Sequence, residues 1–212
     1  MVTDAELIEQ IENLKNGKTG EVIDERIRSF DLLHKKTDLD WFKELCFCIL
    51  TANFTAKGGI KIQREINDGF LTLEKPELVS ELKKLNHRFP NKRAEFIVEA
   101  REYKNKIKEI ICSFPNEFEA REWMTKNIKG LKYKEASHFL RNVGYKNVAI
   151  IDRHVLNLLR KQEMINRVPK TLTRKTYLEI ECSLKNIAKK LDLTLSELDL
   201  YIWFVETGKV LK

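Results

Sequence analysis

From Leu45 to Ala52 the chain reads Leu-Cys-Phe-Cys-Ile-Leu-Thr-Ala, with Trp41 and Phe42 just ahead, and offers water almost no polar face. A helix that is apolar nearly all round is stable only when other elements wrap it. This one segment therefore demands several partners, and 212 residues suffice to supply them and bury a sizeable core. The run is far shorter than the ~20 residues needed to cross a bilayer, so it reads as a core helix and not a membrane span. The opening MVTDAELIEQ carries acids where a secretory signal carries bases, which makes the cytoplasm the expected compartment.

The partners are legible as helices. Apolar residues recur three and four apart in segment after segment, without convincing period-two alternation, and the expected class is all-α. A capping box at Thr3 and Glu6 opens a first helix carrying Leu7, Ile8, Ile11 and Leu14, which Gly17 and Gly20 are expected to break. Val22, Ile23, Ile27 and Phe30 mark a second. The central helix begins near Asp40 and gives way to a polar loop from Asn53 to Gly59. Pro76 suits the first turn of a helix carrying Leu78, Val79, Leu82 and Leu85. After the loop His87-Arg88-Phe89-Pro90-Asn91, Ala94, Ile97 and Val98 mark another helix, Phe118 to Ile128 the next, and Tyr177, Ile180, Leu184, Ile187 and Leu191 a long one. Thr194 and Glu197 form a capping box for the last helix, whose Leu195, Leu198, Ile202 and Val205 face inward and whose C-cap is Gly208.

Lysine and arginine number 39 against 32 aspartates and glutamates, a net charge of +7. That excess suggests a polyanionic partner, although Lys- and Glu-rich surfaces also serve ion-pair networks in heat-loving proteins. Cys46, Cys48, Cys112 and Cys182 are scattered through apolar stretches without zinc or iron–sulfur spacing, and read as reduced core residues.

Residues 128–159 carry the most chemistry. Ala136, Phe139, Leu140 and Val143 give a helix its core face, leaving Lys134, Ser137, His138 and Arg141 as a basic polar stripe on the other. Ahead of it, Gly130 sits in a short connection between two helices, so backbone N–H groups at the second helix's start are available to an anion such as phosphate. The pattern is a helix-hairpin-helix. Beyond Gly144 the chain runs through Val148 to Ile151 and reaches Asp152, a natural N-cap. The helix is about 15 Å long and the returning segment spans up to about 25 Å, so Asp152 is able to come back to the neighbourhood of Lys134. Taken singly, a lysine is most often solvated and an aspartate here merely caps a helix. The joint placement is what points to chemistry.

Lys134 followed by Asp152, with a hairpin before and Asp152-Arg153-His154 after, resembles the helix-hairpin-helix DNA glycosylase superfamily. KEASHFLRNVG, IIDRHV and the final WFVETGKVLK are similar to the archaeal-type 8-oxoguanine DNA glycosylase/AP lyases, over nearly the whole chain. The resemblance implies two helical subdomains, residues 1–33 with 144–212 and residues 34–143, the latter holding the hairpin at about 123–143, with an active-site cleft between them. It implies that Lys134 is the nucleophile attacking C1′ of the damaged nucleotide, and that Asp152 stabilises the oxocarbenium-like sugar and shuttles protons. A lysine's ordinary pKa is about 10.4, so its amine must be deprotonated first, and Arg141 and His138 are expected to supply the neighbouring positive charge.

The target base must leave the duplex to reach such a site. Trp203, on a helix face shared with Asp199, Glu206 and Thr207, is the expected stacking platform, with Phe89 and His138 as further base-pocket candidates. By resemblance the carboxylate of Lys212 reads the Watson–Crick edge of the oxidised guanine, Asn53 enters the gap in the duplex, and His154 contacts a phosphate. Core packing, a loose tail and an ordinary C-cap are the plain alternatives for these positions. DNA contacts are also expected from Gly130, Lys132 and Arg141. In the hairpin the usual Gly-x-Gly is Gly130-Leu131-Lys132, so the glycine that lets backbone approach phosphate is replaced by lysine. No catalytic metal, iron–sulfur cluster or required cofactor is expected; at most a monovalent cation sits at the hairpin. The expected partner is double-stranded DNA containing oxidised guanine, bound by a monomer associated with the nucleoid, with no membrane. The rival readings are a glycosylase for another lesion such as an oxidised pyrimidine, a hairpin module that only binds DNA, and a helical scaffold that is basic for stability alone.

Overall fold

In a computed structural model residues 5–212 are described, and the capping box expected at Thr3 lies outside them. The apolar run forms α3 (Asp38–Thr51), started by a capping box in which Thr37 Oγ1 accepts the Asp40 N–H and the Asp40 carboxylate accepts the Thr37 N–H. Trp41, Phe42 and all residues from Glu44 to Thr51 are buried. The other helices are α1 (Ala5–Lys15), α2 (Lys18–His34), α4 (Ala56–Ile66), α5 (Gly69–Thr72), α6 (Lys75–Lys84), α7 (Pro90–Ala100), α8 (Ile107–Cys112), α9 (Glu117–Asn127), α10 (Tyr133–Asn142), α11 (Arg153–Lys161), α12 (Arg174–Lys190) and α13 (Leu195–Thr207). The fold is all-α, and no helix among the described residues is long and apolar enough to cross a membrane.

The chain divides into two compact units. One takes the chain up to Asp31 together with Gly144–Lys212; the other is Leu32–Val143. In the second, α3 is the axis, packed by α4, α5, α7, α8 and α10. Its single buried acid, Glu44, accepts hydrogen bonds from Gln63 on α4 at 3.1 Å and from Asn142 on α10 at 2.5 Å, so the charge in the wrapped helix is matched from both sides. In the first unit α13 packs against α1, α11 and α12. Its Thr194–Glu197 capping box and left-handed Gly208 cap form as the sequence predicts.

Three local expectations need correcting. Only Gly17 interrupts the first two helices, because Gly20 already lies in α2. The loop after α3 is limited to residues 52–55: α4 starts at Ala56, and Gly59 lies inside it where α4 crosses α3, so that an added Cβ would come within 3.0 Å of Thr51 and 3.1 Å of Phe47. Glycine there marks close helix contact and not a loop. Cys46 and Cys48 are buried in α3, but Cys112 and Cys182 are exposed and do not belong to the core.

The segment Val148–Ile151 is buried, with no strand among the described residues to pair with, so its backbone groups need other partners. Helix α12 supplies them. The Tyr177 hydroxyl donates to Ala149 O at 2.6 Å and accepts from Ile151 N at 3.3 Å, while Glu181 accepts from Ala149 N at 2.8 Å. Tyr177→Phe strands a buried carbonyl and a buried N–H, and is expected to cost about 2–4 kcal/mol in urea unfolding. An unchanged midpoint would mean that the hydroxyl does not hold the segment.

Candidate functional site

The hairpin is built by α9 and α10. The turn between them holds Gly130 at φ +88°, where a Cβ would lie 2.4 Å from the Phe96 ring of α7. Positive φ and ring contact both require glycine. Gly130→Ala is therefore expected to lower stability by roughly 2 kcal/mol, and pairing it with Phe96→Leu should recover only the steric part, measured by thermal melting of the single and double variants. Lys132, where a second glycine was expected, has an extended backbone at φ −112° and ψ −173°, which any residue adopts. Its N–H is not open to an anion as the sequence suggested, because the Glu135 carboxylate accepts it at 3.2 Å. Across the helices, the fully buried Arg121 of α9 donates to Ser137 Oγ at 3.1 Å and lies 5.1 Å from the Tyr133 ring, and the Tyr133 hydroxyl donates to Glu122.

Lys134 occupies the first turn of α10 with 24% of its side chain exposed, and Nζ lies 3.7 Å from Glu135 Oε1. Its ion-pair partner is thus negative, where the sequence suggested positive neighbours. The stripe drawn through Ser137, His138 and Arg141 is not an open face: all three are buried. His138 meets the Phe47 ring of α3 edge-on at 5.4 Å. The Arg141 guanidinium donates to Asn142 Oδ1 at 3.1 and 2.9 Å, and Asn142 in turn holds Glu44. Arg141 accordingly belongs to a buried polar chain and does not stand as a surface DNA contact. The reason is that α10 is packed by both α3 and α9, which together cover more of it than its Ala136–Phe139–Leu140–Val143 stripe.

In the terminal unit, the segment pinned by Tyr177 and Glu181 delivers Asp152 to the N-cap of α11, where Oδ1 accepts the Val155 N–H at 3.0 Å. One carboxylate oxygen does the capping. His154, exposed in the first turn, meets the Trp203 ring edge-on at 4.7 Å. Trp203 is half-buried, and its indole N–H has no hydrogen-bond partner among the described residues. Lys161 of α11 pairs at 2.9 Å with Glu206, which shares α13 with Trp203. Lys212 is half-buried rather than loose.

Two further candidates sit at exposed tips of the α3 unit. Asn53 follows Ala52 (φ −66°, ψ 113°) with φ +58°, the geometry of a type II turn closed by Phe54 N to Thr51 O at 3.2 Å. Phe89, 39% exposed, precedes α7 with the Arg88 guanidinium 5.0 Å from its ring. His87, Arg93, Arg121 and Glu181 were given no role by the sequence, and Tyr177 was read only as a core position of its helix. All are polar residues buried among helices, and only a polar residue falling on an apolar helical position could have flagged them.

Comparison with known proteins gives consistent matches. A family described as 8-oxoguanine DNA glycosylase (Ogg-HhH) matches residues 23–193. An 8-oxoguanine DNA glycosylase/AP lyase of Methanocaldococcus jannaschii is 61% identical over 206 residues, which are 97% of this chain and 99% of that protein. One from Korarchaeum cryptofilum is 50% identical over 207 residues, 98% of each chain. The crystal structure of the M. jannaschii 8-oxoguanine glycosylase/lyase in complex with a 15mer DNA containing 8-oxoguanine matches with a TM-score of 0.95 at 60% identity, covering 97% of this chain and 99% of that one.

Proposed function

The chain belongs to the Ogg-HhH 8-oxoguanine DNA glycosylase family, and on that premise we propose that it excises 8-oxoguanine from double-stranded DNA and then nicks the strand at the resulting abasic site. The observation that carries the reading is Lys134 in the first turn of the helix that closes the hairpin, its amine part-buried yet reachable. The Nζ lone pair attacks C1′ as the C1′–N9 bond breaks, and the base leaves with the bonding electrons and takes up the proton that the nitrogen sheds on bonding to carbon. The C1′–O4′ bond then opens to a Schiff base between Lys134 and C1′. Loss of a C2′ proton breaks the C3′–O3′ bond, cutting the strand, and water finally releases the lysine. Asp152, ionised, stabilises positive charge developing on the sugar. None of these steps calls for a metal or cofactor.

Trp203, Phe89, His138 and Lys212 are proposed to hold or read the everted base, with His138 acting from its buried place on α10. Asn53, Gly130, Lys132 and His154 are proposed to contact DNA. Such an enzyme works on nucleoid DNA in the cytoplasm. The test is a panel of duplexes bearing 8-oxoguanine, thymine glycol or a preformed abasic site. Release of 8-oxoguanine with a β-elimination product is expected. Release of thymine glycol alone would move the substrate to oxidised pyrimidines, and binding without release, with a steep salt slope, would leave a DNA-binding module.

A further inference from the structure

Helix α6 ends in a left-handed Asn86 (φ +58°), with His87 N bonded to Leu82 O and Asn86 N to Lys83 O, both at 2.9 Å. This Schellman-type turn carries the His87 ring inward to 4% residue exposure beside the end of α3. His87 Nε2 lies 3.0 Å from Leu50 O, and Nδ1 lies 3.0 Å from the Phe89 amide nitrogen. The amide only donates, so Nδ1 is the acceptor and Nε2 carries the proton given to Leu50 O, which defines one neutral tautomer. Burial lowers the His87 pKa from its usual value, against the pull of the Leu50 carbonyl and with help from Arg93, in keeping with that neutral form. The Phe54 ring packs on the imidazole at 4.2 Å, and Arg93 Nη2 donates to Ala52 O at 2.6 Å. The turn bearing Asn53 and the turn bearing Phe89 are therefore tied through one ring, while both tips stay exposed.

We infer that His87 is a positioning residue that fixes the spacing of Asn53 and Phe89, so that Asn53 enters the gap in the duplex as Phe89 meets the nucleotide that swings out. The inference rests on the repair reading above. Two exposed side chains on separately mobile turns would each lose entropy on engaging the DNA, whereas a shared clamp sets that geometry before DNA arrives. His87 touches no reacting atom, so its effect belongs to base eversion and not to chemistry at C1′.

The two bonds are separable. Asparagine places an amide oxygen near the Nδ1 position and keeps an acceptor for Phe89 N–H; glutamine places an amide nitrogen near Nε2 and keeps a donor for Leu50 O. In single-turnover assays, His87→Ala, His87→Asn and His87→Gln are each expected to slow 8-oxoguanine release from duplex DNA by about tenfold or more, because Asn unties the Leu50 side, Gln the Phe89 side and Ala both. Cleavage of a preformed abasic site, where no paired base has to be extruded, should stay within about threefold of wild type for all three. A wild-type rate in either His87→Asn or His87→Gln, or equal loss on both substrates, would overturn the inference. Nitrogen-15 spectra of the wild-type protein keep it testable if the variants fail to fold, and also if wild type releases no 8-oxoguanine, which is a failure of the repair reading instead. His87 should hold its proton on Nε2 near neutral pH, and a Nδ1–H or doubly protonated ring would overturn the clamp.

Discussion

Lys134→Gln is expected to abolish strand nicking and to slow base release by at least about 10³-fold, because the amide that replaces the amine cannot form a Schiff base. The fold should survive the change. The side chain is partly exposed and its ion pair with Glu135 spans 3.7 Å, a contact worth under about 1 kcal/mol once solvent screening is allowed for. Glutamine also keeps high helix propensity within α10. Lys134→Arg adds a useful control, since it preserves charge for DNA affinity while remaining protonated. Affinity for a duplex containing 8-oxoguanine should therefore stay near wild type in Lys134→Arg while turnover is lost. Gel assays of nicking, with melting temperature as the folding check, decide the matter: a well-folded Lys134→Gln that still nicks by β-elimination would require another nucleophile.

Asp152→Asn is expected to have the second-largest effect, a loss of about 10²- to 10⁴-fold in base release. The prediction is sharp because Asp152 has two separable roles. As an N-cap it accepts the Val155 N–H through Oδ1, and asparagine caps a helix about as well as aspartate. Asn thus removes the charge while keeping the cap, so stability should hardly change as the rate collapses. Asp152→Ala removes both and should cost about 1 kcal/mol of stability in addition. Rates measured beside urea unfolding separate the roles, and an Asn variant that retains wild-type turnover would leave Asp152 as a cap alone.

How far the sequence carried depends on what each residue does. The all-round apolar character of residues 45–52 foretold a wrapped helix, and α3 is that helix. Capping boxes announce helix starts because both partners lie within four residues, and Thr194–Glu197 forms as read. Lys134 and Asp152 were found as a motif, and each lies at the start of the helix expected for it. What could not be read are pairings made across long stretches of chain. Glu44 is matched by Asn142, 98 residues away, and Ala149 by Tyr177, 28 residues away. The same blindness explains the misjudged stripe on α10. Periodicity identifies the face that must be buried, but says nothing of how much more of the helix its neighbours will cover, so Ser137, His138 and Arg141 looked open and are buried. Gly59 misled in the opposite sense, since a glycine needed for helix contact has the same letter as one that ends a helix.

The most direct measurement is reduction of the reaction mixture with borohydride on a duplex carrying 8-oxoguanine, followed by proteolysis and mass spectrometry of the protein–DNA adduct. The account predicts a single modified peptide with the deoxyribose remnant on the Lys134 nitrogen. An adduct mapped to another lysine, or base release with no adduct at all, would contradict it.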